Sequence, residues 1–349
     1  MRTGPSKRVV SKSIPMPMGP SKRRSALFWV GSTRRPRDPL VPHGMPDPGE
    51  SMTVAIASGK GGTGKTTVAV GLANALERDV QLLDCDVEEP NDHLFLSLEG
   101  IRSVEHSIPV PRVDHDLCTA CGKCSSFCEF NALALLKDRV LVFDNLCHGC
   151  GGCTLICPEQ AIREEDRPTG WIVYGTCGRI EHIYGDLNTG EPMAPPLIRT
   201  VKREITGEKP VIIDSPPGTT CPMVTAVKDA DFCLLVTENT PFGLHDLEMA
   251  VEVLGDMEMP MGVVINRSDI GKSGVKEFCR EKNIPVLLEI PYSRTIAEKY
   301  AVGLSIVDAE PQYRRKFVEM YAKIEEIAAE ATERRAEVSE DAGGAGGHR

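Results

Sequence analysis

Residues 58–67 read Ser-Gly-Lys-Gly-Gly-Thr-Gly-Lys-Thr-Thr, and this run decides the fold. Gly59, Gly61, Gly62 and Gly64, with Thr63 between them, let successive backbone N–H groups curl round an anion. Lys65 reaches β- and γ-phosphates, Thr66 offers its hydroxyl to Mg²⁺, and Thr67 opens the following helix. The stretch before the loop, Thr53–Ala57, is built of β-branched and small residues and reads as a buried strand. The stretch after it, Thr67–Glu77, has a helical pattern whose N-terminus adds its dipole to the phosphate site. Strand, loop and helix in this order predict a P-loop nucleotide site with ATP and Mg²⁺ as its ligands.

Further strands repeat the theme. Val80–Leu83 ends in Asp84-Cys85-Asp86, and Val211–Ile213 ends in Asp214-Ser215-Pro216-Pro217-Gly218-Thr219. Phe232–Val236, Met261–Ile265 (ending in Asn266) and Ile284–Ile290 follow, separated by helical patterns at Gly243–Met257 and Val275–Lys282. Such alternation predicts an α/β fold, a parallel sheet with helices on both faces. Asp84, Asp86 and Asp214 then stand at carboxyl ends of strands, where such sheets bind ligands. For Asp84 and Asp86 the competing reading is turn chemistry, since aspartate favours strand exits.

The second lysine of the loop, Lys60, sets it apart from an ordinary phosphate loop. Lys-Gly-Gly-x-Gly-Lys-Thr-Thr resembles the deviant Walker A signature of the MinD/ParA group of P-loop ATPases. The resemblance implies a homodimer in which Lys60 reaches across to the partner's ATP, supplying charge much as an arginine finger does. It also implies that Asp214 is the Walker B aspartate for Mg²⁺, that Asp84 assists it with Thr66, and that Asp86 lies near the attacking water. Lys60, Lys65 and Asp86 are thus the expected catalytic set. Gly218 would offer its N–H to the γ-phosphate, and Asn266 would hold the base.

Thirteen cysteines form the second signal. Cys118-x₂-Cys121-x₂-Cys124-x₃-Cys128 precedes Cys147-x₂-Cys150-x₂-Cys153-x₃-Cys157-Pro158, the run of a bacterial two-cluster ferredoxin. A constant offset maps Leu117-Cys118 onto Leu146-Cys147 and Ala132-Leu133 onto Ala161-Ile162. Since the fourth cysteine of each run crosses over in this pattern, one [4Fe–4S] cluster would take Cys118, Cys121, Cys124 and Cys157. The other would take Cys128, Cys147, Cys150 and Cys153. Zinc is the alternative, but its sites favour separated C-x-x-C pairs over triple runs. The first run closes on Glu129 where the second has Pro158, which puts the symmetry of the two potentials in doubt. Outside the repeat, Cys221 follows the Walker B aspartate at the offset of the nitrogenase iron protein's shared-cluster ligand. That resemblance suggests a third metal site formed by Cys221 and Cys177 across a dimer. The alternative is that both are small buried residues.

These motifs predict a discontinuous ATPase domain, 52–110 and 168–333, interrupted by a small α+β ferredoxin domain at 111–167. The first fifty residues carry a net +7, leaving −17 for the remainder of a chain whose total is −10. Residues 1–51, rich in proline and without periodicity, read as a disordered basic extension or as translation from an upstream start. Residues 334–349 read as a flexible tail. The acidic body disfavours nucleic-acid binding, and Ala26–Val30 is too short for a signal sequence or a membrane span, so a cytoplasmic location is expected.

In the helical pattern Pro311–Glu333, Tyr313, Phe317, Tyr321, Ile324 and Ala328 share one face. That is core packing rather than a basic membrane-anchoring surface. The whole is similar to MinD-superfamily ATPases with an inserted two-cluster ferredoxin domain. Its expected function is ATP hydrolysis coupled to electron transfer or to metallocofactor assembly, with a redox protein or an assembly client as partner. The rivals are a positioning protein with structural clusters and a nucleotide-regulated electron carrier without turnover.

Overall fold

The structure, a computed structural model, describes residues 51–272 and 274–344. The basic extension therefore lies outside the described residues except for Ser51. The first half of the chain forms β1 (Thr53–Ala57), α1 (Lys65–Ala75), β2 (Val80–Asp84), β3 (Glu99–Val113), α2 (Lys123–Phe127), β4 (Leu133–Leu136), β5 (Arg139–Val142), α3 (Gly152–Ile156), β6 (Ile162–Cys177) and β7 (Ile180–Leu187). The second half forms α4 (Ala194–Lys202), β8 (Val211–Asp214), α5 (Cys221–Val227), β9 (Phe232–Glu238), α6 (Pro241–Asp256), β10 (Met261–Asn266), α7 (Val275–Glu281), β11 (Val286–Ile290), α8 (Arg294–Tyr300), α9 (Ile306–Ala309) and α10 (Gln312–Gly344).

One sheet organises the molecule, in the order β11-β10-β9-β1-β8-β2-β7-β6-β3. From β11 to β7 neighbouring strands are parallel, as the alternation predicts. The last two strands run antiparallel, so the sheet is mixed rather than wholly parallel. Buried parallel strands have no solvent face and read as continuous apolar runs, and β1, β2, β8 and β9 do so. Each face has its own core. Val54, Ile56, Leu82 and Ile212 meet α1 and the α10 face of Tyr313, Phe317, Tyr321, Ile324 and Ala328. Ala55, Leu83, Ile213 and Leu235 meet α4, α5, α6 and α7. Burying these side chains at roughly 1.5–3 kcal/mol each is what holds the helices to the sheet. α10 continues to Gly344, past the expected boundary at Glu333, so the tail is helical over its described length. Among the described residues no helix is long and apolar enough to cross a membrane.

The cysteine segment is joined to this sheet by strands, not by linkers. β3 and β6 pair from Glu99↔Thr176 to Val113↔Ile162, with irregularities between Glu99 and Arg102 and between His106 and Ser107. The boundaries expected at 111 and 167 therefore fall inside a two-stranded ribbon. Beyond it the chain folds as two copies 29 residues apart. Val113 pairs Ile162 as Val142 pairs Leu133. The Asp114 N–H donates to Ala161 O at 2.7 Å, and the Phe143 N–H to Ala132 O at 2.8 Å. Positive φ recurs at Ala120 and Gly149, Gly122 and Gly151, and Asn131 and Gln160. The sequence repeat is thus a pseudo-two-fold structure, packed round Ile108, Val110, Leu133, Val140 and Ile162.

Candidate functional site

β1 lies between β8 and β9, so the loop after Ala57 opens above the middle of the sheet. Gly64 adopts φ 99° at the start of α1, and an added Cβ would meet Asn266 Nδ2 at 2.4 Å. Gly59 is pressed on α6, where a Cβ would stand 2.1 Å from the Asp246 carbonyl oxygen. The loop is therefore closed by steric contact on two sides. Lys65 is buried. Thr66 donates its hydroxyl to Asp214 Oδ2 at 2.7 Å, which joins the Mg²⁺ ligand expected on the loop to the one expected on β8.

Asp84 pairs in register with Asp214 and is wholly engaged by its own turn. Its Oδ1 accepts the Asp86 N–H at 3.0 Å, and its Oδ2 accepts those of Asn91 at 2.8 Å and Asp92 at 3.2 Å. Both readings of Asp84 hold together: it organises a turn and stands at the carboxylate cluster. Asp92, which sequence reasoning passed over, is fully buried beside Asp214. Glu-Glu-Pro-Asn-Asp looks like a solvated loop, and only the hydrogen bonds to Asp84 draw Asp92 inward.

Burial, and then repulsion from Asp214 for the one and from Asp84 and Asp214 for the other, hold Asp84 and Asp92 well above the usual carboxylate range. Burial likewise raises Asp214, opposed by Lys65, and takes Asp86 to about 7, again opposed by Lys65. A raised carboxylate keeps its proton when folded at pH values where the unfolded chain, near 3.9, has released it. Its stabilising contribution is complete below about pH 4 and is lost as pH climbs towards about 7. In Mg²⁺-free, nucleotide-free protein, stability should therefore fall across this window, and Asp86→Asn should flatten the fall. Denaturation midpoints at the two pH limits, compared between the variant and the parent, check this; an unchanged slope contradicts it.

Gly218, Asn266 and the cysteine pair have observed partners or places of their own. The Gly218 N–H donates to Ser58 O at 2.9 Å, so it braces the loop. The Asn266 amide donates to Thr63 O at 2.8 Å and accepts the Arg267 N–H at 2.9 Å, so it too supports the loop. Cys177 and Cys221 lie at opposite edges of the sheet. Cys177 pairs Ile180, which pairs Val80 at the beginning of β2, whereas Cys221 starts α5 beyond the carboxyl end of β8. A strand of five residues keeps these edges about 13 Å apart within one subunit.

Lys60 lies within its own subunit's reach of two carboxylates, at 3.8 Å from Asp246 and 4.0 Å from Glu238. Sequence reading missed both partners, because the end of β9, which carries Glu238, and α6, which carries Asp246, meet the loop only through the tertiary fold.

The eight repeat cysteines fall into two groups. Cys118, Cys121, Cys124 and Cys157 line one cavity with Val113, Val140 and Ile162. Cys147 has Cys150 and Cys128 as its neighbouring thiols, and Cys153 has Cys147 and Cys150. Backbone N–H groups point at sulfur in matching places, Ala132 to Cys128 and Ala161 to Cys157, both at 3.3 Å. Burial raises the thiols of Cys124, Cys147 and Cys153. Among the described residues no three such side chains converge as ligands of a single ion. The ligands of a cubane each hold a different iron and need no common centre, so two soft, apolar four-thiol groups fit that donor chemistry.

A family model described as the CobQ/CobB/MinD/ParA nucleotide binding domain matches residues 54–306. The chain belongs to this family. Within the CobQ/CobB/MinD/ParA family it is 31% identical to an uncharacterised protein of Methanocaldococcus jannaschii, over 79% of this chain and 97% of that one. It is 26% identical to the iron-sulfur cluster carrier protein of Pyrococcus abyssi, over 73% of this chain and 78% of the carrier. Among solved structures, the septum site-determining protein MinD of Pyrococcus horikoshii, complexed with Mg-ADP, is 18% identical. It covers 80% of this chain and 98% of its own, with a TM-score of 0.49.

Proposed function

We propose that the chain is a Mg-ATP hydrolase that works as a homodimer and couples its nucleotide state to two [4Fe–4S] clusters, using them to deliver electrons to a redox partner. Lys65 and the loop N–H groups would bind the phosphates, and Thr66, Asp84 and Asp214 would hold Mg²⁺ and its waters. Asp86, partly exposed beside Lys65, would orient the attacking water and receive its proton, for which a pKa of about 7 is suited. Lys60 would leave Asp246 and Glu238 to meet the partner subunit's nucleotide. Cys118, Cys121, Cys124 and Cys157 would hold one cluster, and Cys128, Cys147, Cys150 and Cys153 the other. When bound, the clusters supply one-electron transfer.

The observation that carries the coupling is the place of β7. Its Tyr184 pairs Asp84 on one side and Val173 of the ribbon on the other, and its ring stacks on His93 at 4.9 Å between centroids. The turn organised by Asp84 thus rests on the strand that holds the ribbon, and the ribbon carries the cysteine segment. Cluster potentials measured as nucleotide is exchanged test this reading. A second use, metallocofactor assembly, is supported by the relatives named iron-sulfur cluster carrier proteins.

A further inference from the structure

Three carboxylate oxygens in the interior meet no donor: both of Asp92 and Oδ1 of Asp214. Asp92 is 0% exposed and Asp214 2%, and their carboxyl groups are within hydrogen-bonding reach of each other. Nothing within the turn satisfies Asp92. The three N–H groups that enter the turn are all taken by Asp84, and the one hydroxyl at Asp214, that of Thr66, goes to its Oδ2. Leaving buried charge without a partner costs several kcal/mol, and an apolar side chain of similar volume would avoid that cost. Asp214 is also the carboxylate that takes the Thr66 hydroxyl, so Asp92 stands beside the place where those two meet. A single cation with its water shell supplies what they lack, since Mg²⁺ keeps several waters and those waters are donors.

We propose that Asp92 is a positioning residue for Mg²⁺, its carboxylate accepting hydrogen bonds from water on the ion held near Thr66 and Asp214. This rests on the Mg-nucleotide reading of the site and adds to it a residue outside the loop, the β2 exit and the β8 exit. Asp84 shapes the turn through its main-chain bonds, and the turn in turn delivers Asp92 to the ion. Since His93 follows directly and stacks on Tyr184, the same short segment would register the ion's arrival at β7.

Outer-shell partners of metals typically contribute about 10–100-fold to metal affinity. The test uses the full chain, ADP, and Mn²⁺ as a paramagnetic probe, with free Mn²⁺ followed by EPR. Asp92→Asn should weaken Mn²⁺ binding to the ADP complex by about 10–100-fold. ADP affinity measured in EDTA should be unchanged, and the variant should fold in EDTA with a thermal midpoint near the parent's, because an amide can stand beside Asp214 where the Asp92 carboxyl does. Mn²⁺ affinity within twofold of the parent would overturn the proposal. So would a variant that fails to fold in EDTA, which would make the carboxyl a structural group independent of the ion. If the parent itself bound no Mn-ADP, the nucleotide reading would fall first and this one with it, an outcome distinct from a loss confined to the variant.

Discussion

Lys60→Ala should retain nucleotide affinity and lose ATP hydrolysis by on the order of 10³-fold, as removal of an arginine finger does. The magnitude follows from what Lys60 touches. Its ammonium stands at the edge of ion-pair distance from Asp246 and Glu238, with a third of the side chain exposed, and such partly solvated pairs are worth about 0–1 kcal/mol each. Stabilising the charge of phosphoryl transfer by 10³-fold is worth ~4 kcal/mol. On the proposed reading, exchange of the two carboxylates for the partner's nucleotide would be favourable overall, and the intramolecular pairs would park the lysine between turnovers. Steady-state hydrolysis together with nucleotide titration separates the two quantities. Unchanged turnover would remove Lys60 from the reaction, and equal loss of binding and turnover would make it a local phosphate ligand.

Iron content gives the second large effect. Anaerobically prepared protein should hold about eight irons, and Cys121→Ser or Cys150→Ser about four, since each change removes one thiolate from one group only. Both cysteines are exposed, so the substitutions leave the small core round Leu133, Val140 and Ile162 in place and the loss reports ligation rather than packing. Iron and acid-labile sulfide analysis reads the result. Zinc in place of iron, or a complete loss from either single variant, would contradict two independent four-iron groups.

Most of the nucleotide half was legible because its strands are buried on both faces. Val80–Leu83 and Val211–Ile213 are apolar runs that end in aspartate, and nothing but a central strand suits them. The ribbon was not legible. β3 reads Glu-Gly-Ile-Arg-Ser-Val-Glu-His-Ser-Ile-Pro-Val-Pro-Arg-Val, and most of its first half is exposed. Pro109 and Pro111 argue against a strand unless it is an edge, which is where β3 lies. The cysteine repeat was plain from spacing alone, yet its mode of attachment depends on pairing between residues some sixty positions apart, as with Ser107 and Pro168. Gly218 and Asn266 were assigned contacts with the nucleotide by resemblance. The structure shows both already committed to Ser58 and Thr63, because a glycine-rich loop without bulky side chains needs neighbours to fix it. Asp92 escaped notice because its burial is produced by a turn, and no local pattern announces that an aspartate within an acidic run faces inward.

On the proposed reading, nucleotide at the P-loop is felt at the cysteine segment through β7 and the ribbon. The most direct measurement is an anaerobic redox titration of the full chain followed by EPR, repeated with Mg-ATP, with Mg-ADP and without nucleotide. A docking change worth a hundredfold in equilibrium corresponds to a shift of ~120 mV for a one-electron couple. At least one cluster should shift by that order between the ATP and nucleotide-free states, and the shift should be smaller in Lys60→Ala. Potentials identical in all three states would contradict it.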